Sequence, residues 1–425
     1  MYRKKSSNIS VIGLGKLGLC TAACLAYGGY QVIGMDIRED HVKKLRQGTP
    51  PFFEPNLSEL LLTTEKNLSF TNDVHEAVKK TDISFIIVPT PSKKNGEFSN
   101  KYIKEVLMNI APLIKEKESF HLINIVSTVM PGSCENDFLP LIEKLSGKKI
   151  GVEIGLTYNP EFIAIGSVIN DFLNPDLVLI GESDERSGDI IQKIYIDTCQ
   201  NTPHIARTNF INAEITKLAL NCYCTMKISF ANNLSALCDR IDKANASTIC
   251  NVLGLDSRIG EKYIKPGLGF GGPCFPRDNQ AFISFIESLE GYSGLQRAVI
   301  HINNDQPKRA IQRISDAIEE YGGDVAVLGL SYKPGTYLTE QSQALEIVRT
   351  IADKDEVEKL RVYDPLAKEE GVWQLCSSVE ECVQGANIVA ILTPWEEFYT
   401  SDWRNLLSDK ATVLDFWRQD SKNES

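Results

Sequence analysis

Long apolar runs are missing from this sequence. None approaches the roughly 18 residues that a bilayer crossing needs, and Met1–Ser7 (MYRKKSS) is not followed by the hydrophobic segment of a secretory signal. A protein that stays in the cytosol, without a membrane partner, is the expectation. A basic excess is missing too: 45 lysines and arginines face 56 aspartates and glutamates, a net charge of -11 with no dense basic stripe, which argues against nucleic acid as a partner. Metal-site spacing is also absent. The five histidines lie far apart and the eleven cysteines contain no CxxC pair, so neither a zinc site nor a disulfide framework is indicated. In a reducing compartment most of these thiols read as small buried hydrophobes. No repeat of solenoid or propeller period occurs.

What is present is the composition of a folded protein, 43% hydrophobic and 24% charged over 425 residues, long enough for two or three domains. Up to residue 150, short apolar runs at Ile9–Ile12, Gln31–Asp36, Asp82–Val88 and His121–Val126 alternate with amphipathic stretches, which predicts a parallel sheet wound by helices. Two further runs, around Tyr158 and Val178–Ile180, continue it. From Phe210 to about Asp242 a helical pattern without proline or glycine is too long and apolar for an ordinary surface helix and reads as a central connecting helix, suited to a dimer interface. Beyond Gly322, the runs Asp324–Leu328, Arg361–Tyr363, Asn387–Leu392 and Thr412–Leu414 predict a second parallel sheet. The expected fold is therefore α/β, two Rossmann-like doubly wound parallel-sheet domains joined by a long central helix, divided as 1–209, 210–321 and 322–425. Met1–Ser7 and Gln419–Ser425 are polar and read as frayed ends.

Gly13-Leu14-Gly15-Lys16-Leu17-Gly18 directly follows the first expected strand and opens a helical pattern, the context in which GxGxxG signals a dinucleotide. Gly13 allows a tight turn, Gly15 lets the backbone approach a pyrophosphate, and Gly18 permits close packing of helix on strand. Asp36, 23 residues beyond Gly13, ends the second run where a carboxylate accepts from ribose hydroxyls and repels a 2′-phosphate, favouring NAD over NADP; Arg38 weakens that preference. The alternative is a glycine-rich turn without nucleotide. A second match, Gly267 to Gly272, is followed by Pro273 and Pro276, so no helix is expected to start where a dinucleotide would need one; the segment reads as a substrate loop, with helical patterns resuming beyond it to about Glu320.

Cys274 follows that loop, where glycine backbone amides can approach a bound group, and Arg277 stands three residues on; both favour a thiolate, and no other cysteine has such a setting. Lys217 and Asn221, four residues apart, project from one helical face. That pair fits either an oxyanion-stabilising duo or a solvated stripe in which Glu214 partners Lys217.

Several segments taken together resemble the UDP-glucose/GDP-mannose dehydrogenase family over most of the chain: GLGKLG (13–18), VPTP (88–91), STVMPG (127–132), NPEF (159–162), the helix with Lys217 and Asn221, RIGEKYIKPGLGFGGPCFPRD (258–278) and LGLSYKPGT (328–336). The likeness is closest to UDP-glucose dehydrogenases. It implies NAD-dependent four-electron oxidation of a sugar-nucleotide primary alcohol to a carboxylate through a cysteine-bound thiohemiacetal and thioester. The resemblance makes Cys274 the nucleophile, Lys217 and Asn221 its oxyanion partners, Asp278 a residue orienting Lys217 or a water, and Glu161 the base for thioester hydrolysis with Thr128 holding the water. It places the cofactor on residues 13–18, Asp36, Pro89, Thr90, Thr128 and Arg277. The sugar nucleotide falls to Glu161, Phe162, Ile163, Lys217, Asn221, Tyr263, Gly267, Gly271, Lys333 and Arg418, with Arg258 given by the partner subunit of a homodimer.

Three positions depart from the family pattern. Ile165 replaces a second glutamate, Glu340 replaces an arginine that contacts the cofactor pyrophosphate, and His41 replaces a basic residue past the ribose aspartate. These changes keep open a sugar-nucleotide-binding protein with impaired cofactor use beside the enzyme. Other sugar nucleotides, a UDP-N-acetylhexosamine or GDP-mannose, remain alternative substrates, and a two-electron hydroxy-acid dehydrogenase that does not depend on Cys274 is a third reading.

Overall fold

Branched and aromatic runs become strands because each can bury both faces between helices. In the computed structural model, which describes residues 7–417, the strands are β1 (Asn8–Ile12), β2 (Gln31–Met35), β3 (Leu68–Thr71), β4 (Ile83–Ile86), β5 (His121–Ile125), β6 (Ile154–Tyr158), β7 (Leu177–Glu182), β8 (His204–Thr208), β9 (Asp324–Leu328), β10 (Lys359–Tyr363), β11 (Gln374–Leu375), β12 (Ile388–Ile391) and β13 (Thr412–Asp415). The chain divides into two compact units, Met1–Ala219 and Leu220–Ser425.

In the first unit one eight-stranded sheet runs β3-β2-β1-β4-β5-β6-β7-β8. Alternation along β1 sends Ile9 and Val11 into a core with Leu19 and Leu25 of the helix Lys16–Tyr27, and Ile12 into a second core with Ile103, Leu107 and Ile110 of the helix Lys101–Lys115. Every pairing is parallel except β6 with β7, where Thr157 faces Glu182 and Tyr158 faces Gly181 in antiparallel register, a departure from the all-parallel expectation. The order reverses on either side of β1. That reversal opens a crevice at the carboxyl ends of β1 and β4, the place where such sheets hold a dinucleotide.

The second unit carries a five-stranded parallel sheet, β11-β10-β9-β12-β13. Val325 and Val327 of β9 face one core, Ala326 and Leu328 the other. The helices Phe275–Ser288 and Gly294–Tyr321 precede the sheet, and Pro307 lies within the longer one. The long helix runs Phe210–Cys238, a turn shorter than its sequence pattern, and the division between units falls within it, after Ala219.

Candidate active site

The glycine-rich turn is held from several directions in the first unit. Gly13 has φ of 97°, and a Cβ there would lie 2.2 Å from the carbonyl oxygen of Ile87, so only glycine lets β1 pass the segment that follows β4. A Cβ on Gly18 would sit 1.9 Å from the Gly13 carbonyl oxygen, whereas one on Gly15 would meet nothing within 4 Å. Gly15 thus leaves open space at the N-terminus of the helix Lys16–Tyr27, where backbone amides and the helix dipole favour an anion. Asp36 accepts from the Leu14 amide at 3.0 Å, and His41 Nε2 lies 2.8 Å from the Leu14 carbonyl oxygen, so the peptides on either side of Leu14 are both held. Arg38 donates to both Asp36 oxygens at 3.1 and 3.2 Å. Burial works to raise the Asp36 carboxyl, but Arg38 and the backbone amides hold it below the usual carboxylate range.

Loops after β4 and β5 close the crevice. Ser127 Oγ accepts from the Val88 amide at 2.9 Å and donates to the Val88 carbonyl at 2.7 Å, while Thr90 Oγ1 donates to the Thr128 carbonyl at 2.8 Å. Pro89, Thr90 and Thr128 therefore belong to one tied pair of turns. Glu214, buried on the long helix, accepts from the Gly132 amide at 2.6 Å and the Cys134 amide at 2.8 Å. It clamps the turn after Thr128 instead of pairing with Lys217. Lys217, one turn further along, donates to the Glu161 carbonyl at 2.7 Å and lies 4.8 Å above the Phe162 ring, which fixes the Asn159–Phe162 segment after β6. The Glu161 side chain accepts from the Tyr195 hydroxyl at 2.6 Å. Burial pushes its carboxyl up to about 7, against the lowering pull of Tyr195 and of the Lys217 charge. A carboxyl poised there can take and release a proton near neutral pH. Ile163 packs against the first core.

In the second unit the cysteine loop is shaped by side chains that leave its glycines no alternative. A Cβ on Gly272, whose φ is 77°, would lie 2.5 Å from the Tyr332 ring; one on Gly271 would lie 2.3 Å from the Gln341 carbonyl oxygen, and one on Gly267 2.4 Å from the Trp417 ring. Asn232 accepts from the Gly267 amide, and Asn303 both accepts from the Phe270 amide and donates to its carbonyl. Cys274 then caps the helix Phe275–Ser288. No helix opens on the glycines themselves, as expected of a substrate loop; it begins at Phe275, with Pro276 in the first turn, where a missing N–H costs nothing. No strand leads into this loop, unlike the Gly13 turn. Cys274 is the exposed member of eleven cysteines, the others being buried or half-buried, so the helix N-terminus can favour its thiolate in contact with solvent. One turn on, buried Asp278 accepts from Asn221 Nδ2 at 2.6 Å, and Arg277 lies 3.8 Å from the same carboxylate.

The carboxyl ends of β9 and β12 form a second crevice, lined by Gly271, Tyr332 and Trp417 and followed by Lys333. Tyr263, with φ of 67°, stacks edge-on against Phe275. Arg258 is exposed and paired with Asp256 at 2.6 Å, on a loop whose carbonyls at Ile259 and Gly260 accept from Lys227 of the long helix.

Models of one family match in chain order: its NAD binding domain over residues 7–198, its central domain over 211–305 and its UDP binding domain over 326–419. This chain belongs to the UDP-glucose/GDP-mannose dehydrogenase family. The UDP-glucose 6-dehydrogenase of Rickettsia bellii is 34% identical over 96% of this chain and 94% of that one, and the GDP-mannose 6-dehydrogenase of Pseudomonas syringae is 35% identical over 81% and 78%. Among solved structures, the UDP-glucose dehydrogenase of Pyrobaculum islandicum superimposes with a TM-score of 0.87 at 32% identity, covering 97% of this chain and 95% of that one. As a member of this dehydrogenase family, the chain is an NAD-dependent nucleotide-sugar dehydrogenase. The Gly13–Gly18 turn fits the cofactor: it is open only at Gly15, and Asp36 stands beside it at the end of β2.

Arg418 lies outside the described residues, as do most of the polar ends read as frayed. Of the three departures, His41 is drawn into the turn itself, Ile165 is partly buried, and exposed Glu340 still joins the cysteine loop because its carbonyl accepts from the Gly272 amide. Tyr195 carries no signal in the sequence, and the pairing of Glu214 with Lys217, offered there as one alternative, is not formed; neither residue sits in a recognisable motif and both find their partners far along the chain.

Proposed function

We propose that the chain oxidises the primary alcohol of UDP-glucose to the carboxylate, using two NAD molecules and one water per sugar. Cys274 carries the reading: one thiol is exposed at a helix N-terminus after a loop whose shape only glycines allow, while the other ten cysteines are withdrawn from solvent to some degree. When bound, NAD accepts a hydride from the sugar carbon in each of the two oxidations. Lys217 and Asn221 stabilise the negative oxygen that develops on that carbon, with Asp278 holding the Asn221 amide in place. The Cys274 thiolate adds to the aldehyde to give a thiohemiacetal, and loss of the second hydride leaves a thioester. Glu161 then takes a proton from water held at Thr128; hydroxide adds to the thioester carbon, the C–S bond breaks, and the carboxylate leaves with the thiolate restored.

The family and the relatives' names support the choice of a sugar nucleotide; UDP-glucose is favoured by the relatives called UDP-glucose 6-dehydrogenase. In this reading residues 1–209 hold the cofactor, 210–321 form the dimerising centre with the cysteine loop, and 322–425 hold the UDP moiety, in the cytosol. Exposed Tyr223, Phe230 and Leu237, seven residues apart on the long helix, support a homodimer sharing Arg258. Glu340, where the family has arginine, favours one rival: a protein that binds the sugar nucleotide but reduces little cofactor.

Incubation with UDP-glucose and NAD, followed at the absorbance of reduced cofactor, tests the proposal. Two reduced cofactors per sugar are expected, and Cys274→Ser should yield no acid. Binding without reduction would favour the rival. Full acid production by Cys274→Ser would end the covalent route, and one reduced cofactor per substrate would point to two-electron chemistry.

A further inference from the structure

Glu161 has to change protonation state in every turnover if it is the hydrolytic base, and what surrounds it must tolerate both states. The Tyr195 hydroxyl lies 2.6 Å from Glu161 Oε1 and 2.8 Å from Asn159 Oδ1. A phenol carries one hydrogen, so it can serve only one of two acceptors at a time. The orientation of Asn159 is set elsewhere. Its Nδ2 donates to the Leu179 carbonyl at 3.0 Å, which turns Oδ1 toward Tyr195. Behind it, Asn124 Nδ2 lies 3.5 Å from the same Oδ1, and Asn124 is held in turn by Thr157 Oγ1 at 2.8 Å. Asn124, Thr157, Asn159 and Tyr195 are at most 1% exposed, so no water can substitute for a missing partner.

We propose that Tyr195 and Asn159 are positioning residues that let Glu161 alternate between carboxylate and acid without moving: the hydroxyl hydrogen points at Glu161 in the first state and at Asn159 in the second. In the second state the proton gained by Glu161 is donated to the Tyr195 oxygen. No bond to carbon is made or broken, and the proton that enters from water leaves to solvent before the next cycle. The other groups near Glu161 do not compete for it. Lys217, on the long helix, acts on Glu161 through its charge, which favours the carboxylate, and burial holds the protons on the thiols of Cys24, on the helix Lys16–Tyr27, and Cys199, at the end of the helix Glu185–Thr198.

The inference rests on the reading of Glu161 as base, and the tests separate the two. Rapid quench of the protein-bound thioester across pH should give a hydrolysis profile with an acid limb set by Glu161. Tyr195→Phe removes the donor to the carboxylate, the stronger of the two bonds, and should move that limb up by roughly one unit. Asn159→Leu strands the hydroxyl in the acid state and should move it down. Opposite shifts support the device, whereas unmoved limbs, or shifts in one direction with lowered melting temperature, would overturn it. If Asn159→Leu does not fold, Tyr195→Phe decides alone: an unmoved limb rejects the proposal. Unchanged hydrolysis in Glu161→Gln would instead reject the base assignment itself.

Discussion

Glu161 carries a consequence for stability as well as for chemistry. Its carboxyl is raised in the folded state to about 7, so the folded protein holds a proton there that the unfolded chain, at an ordinary carboxylate value, gives up earlier. The stabilising difference is complete at pH below the unfolded value and is lost as pH rises through about 7. Melting temperature should therefore fall over that interval in the parent, and the fall should flatten in Glu161→Gln, whose amide does not titrate. A slope identical in the two proteins would show that Glu161 is not raised. NPEF pointed to this residue by resemblance, but nothing local in the sequence distinguishes its environment from that of a solvated carboxylate. The difference comes from burial, with Tyr195, 34 residues away in sequence, pulling the carboxyl the other way.

At the level of elements, the glycines of the first turn do separate jobs that substitution can tell apart. Gly18→Ala would drive a Cβ into the Gly13 carbonyl, so it should lower the melting temperature by several degrees, an effect on the order of 2 kcal/mol or more. Gly15 has extended φ and ψ and open space, so Gly15→Ala should leave the melting temperature within about a degree while weakening NAD binding at least tenfold in a fluorescence titration. Equal melting temperatures for the two variants would contradict the packing described. Strand-turn-helix order made this element readable in advance. The edge strands β3 and β8 were not, because half of their residues or more are exposed or only partly buried and their alternation carries little apolar signal. The helix after Cys274 was legible as a resumed helical pattern, but its start was not, because Pro276 occupies its first turn instead of marking a break.

For the whole molecule, the proposed dimer makes a prediction of its own. If Arg258 serves the neighbouring subunit, an Arg258→Ala chain and a Cys274→Ser chain should each be inactive, while mixing and reassociating them should restore activity, because the hybrid contains one site with both groups intact. Recovery that does not occur in hybrids confirmed by mass would place Arg258 in its own subunit's site or in none. The exposed pairing of Arg258 with Asp256 leaves it available for either.

The α/β class, the dinucleotide turn, the principal strands and the singular setting of Cys274 were legible in the residues alone, because periodicity, glycine spacing and composition act over short stretches. That β7 runs against β6, that Glu214 clamps the turn after Thr128, and that Glu161 shares a buried hydroxyl with Asn159 emerge once the chain is packed. Those features depend on groups tens of residues apart losing water together, and desolvation is a property of the packed chain that no local pattern records.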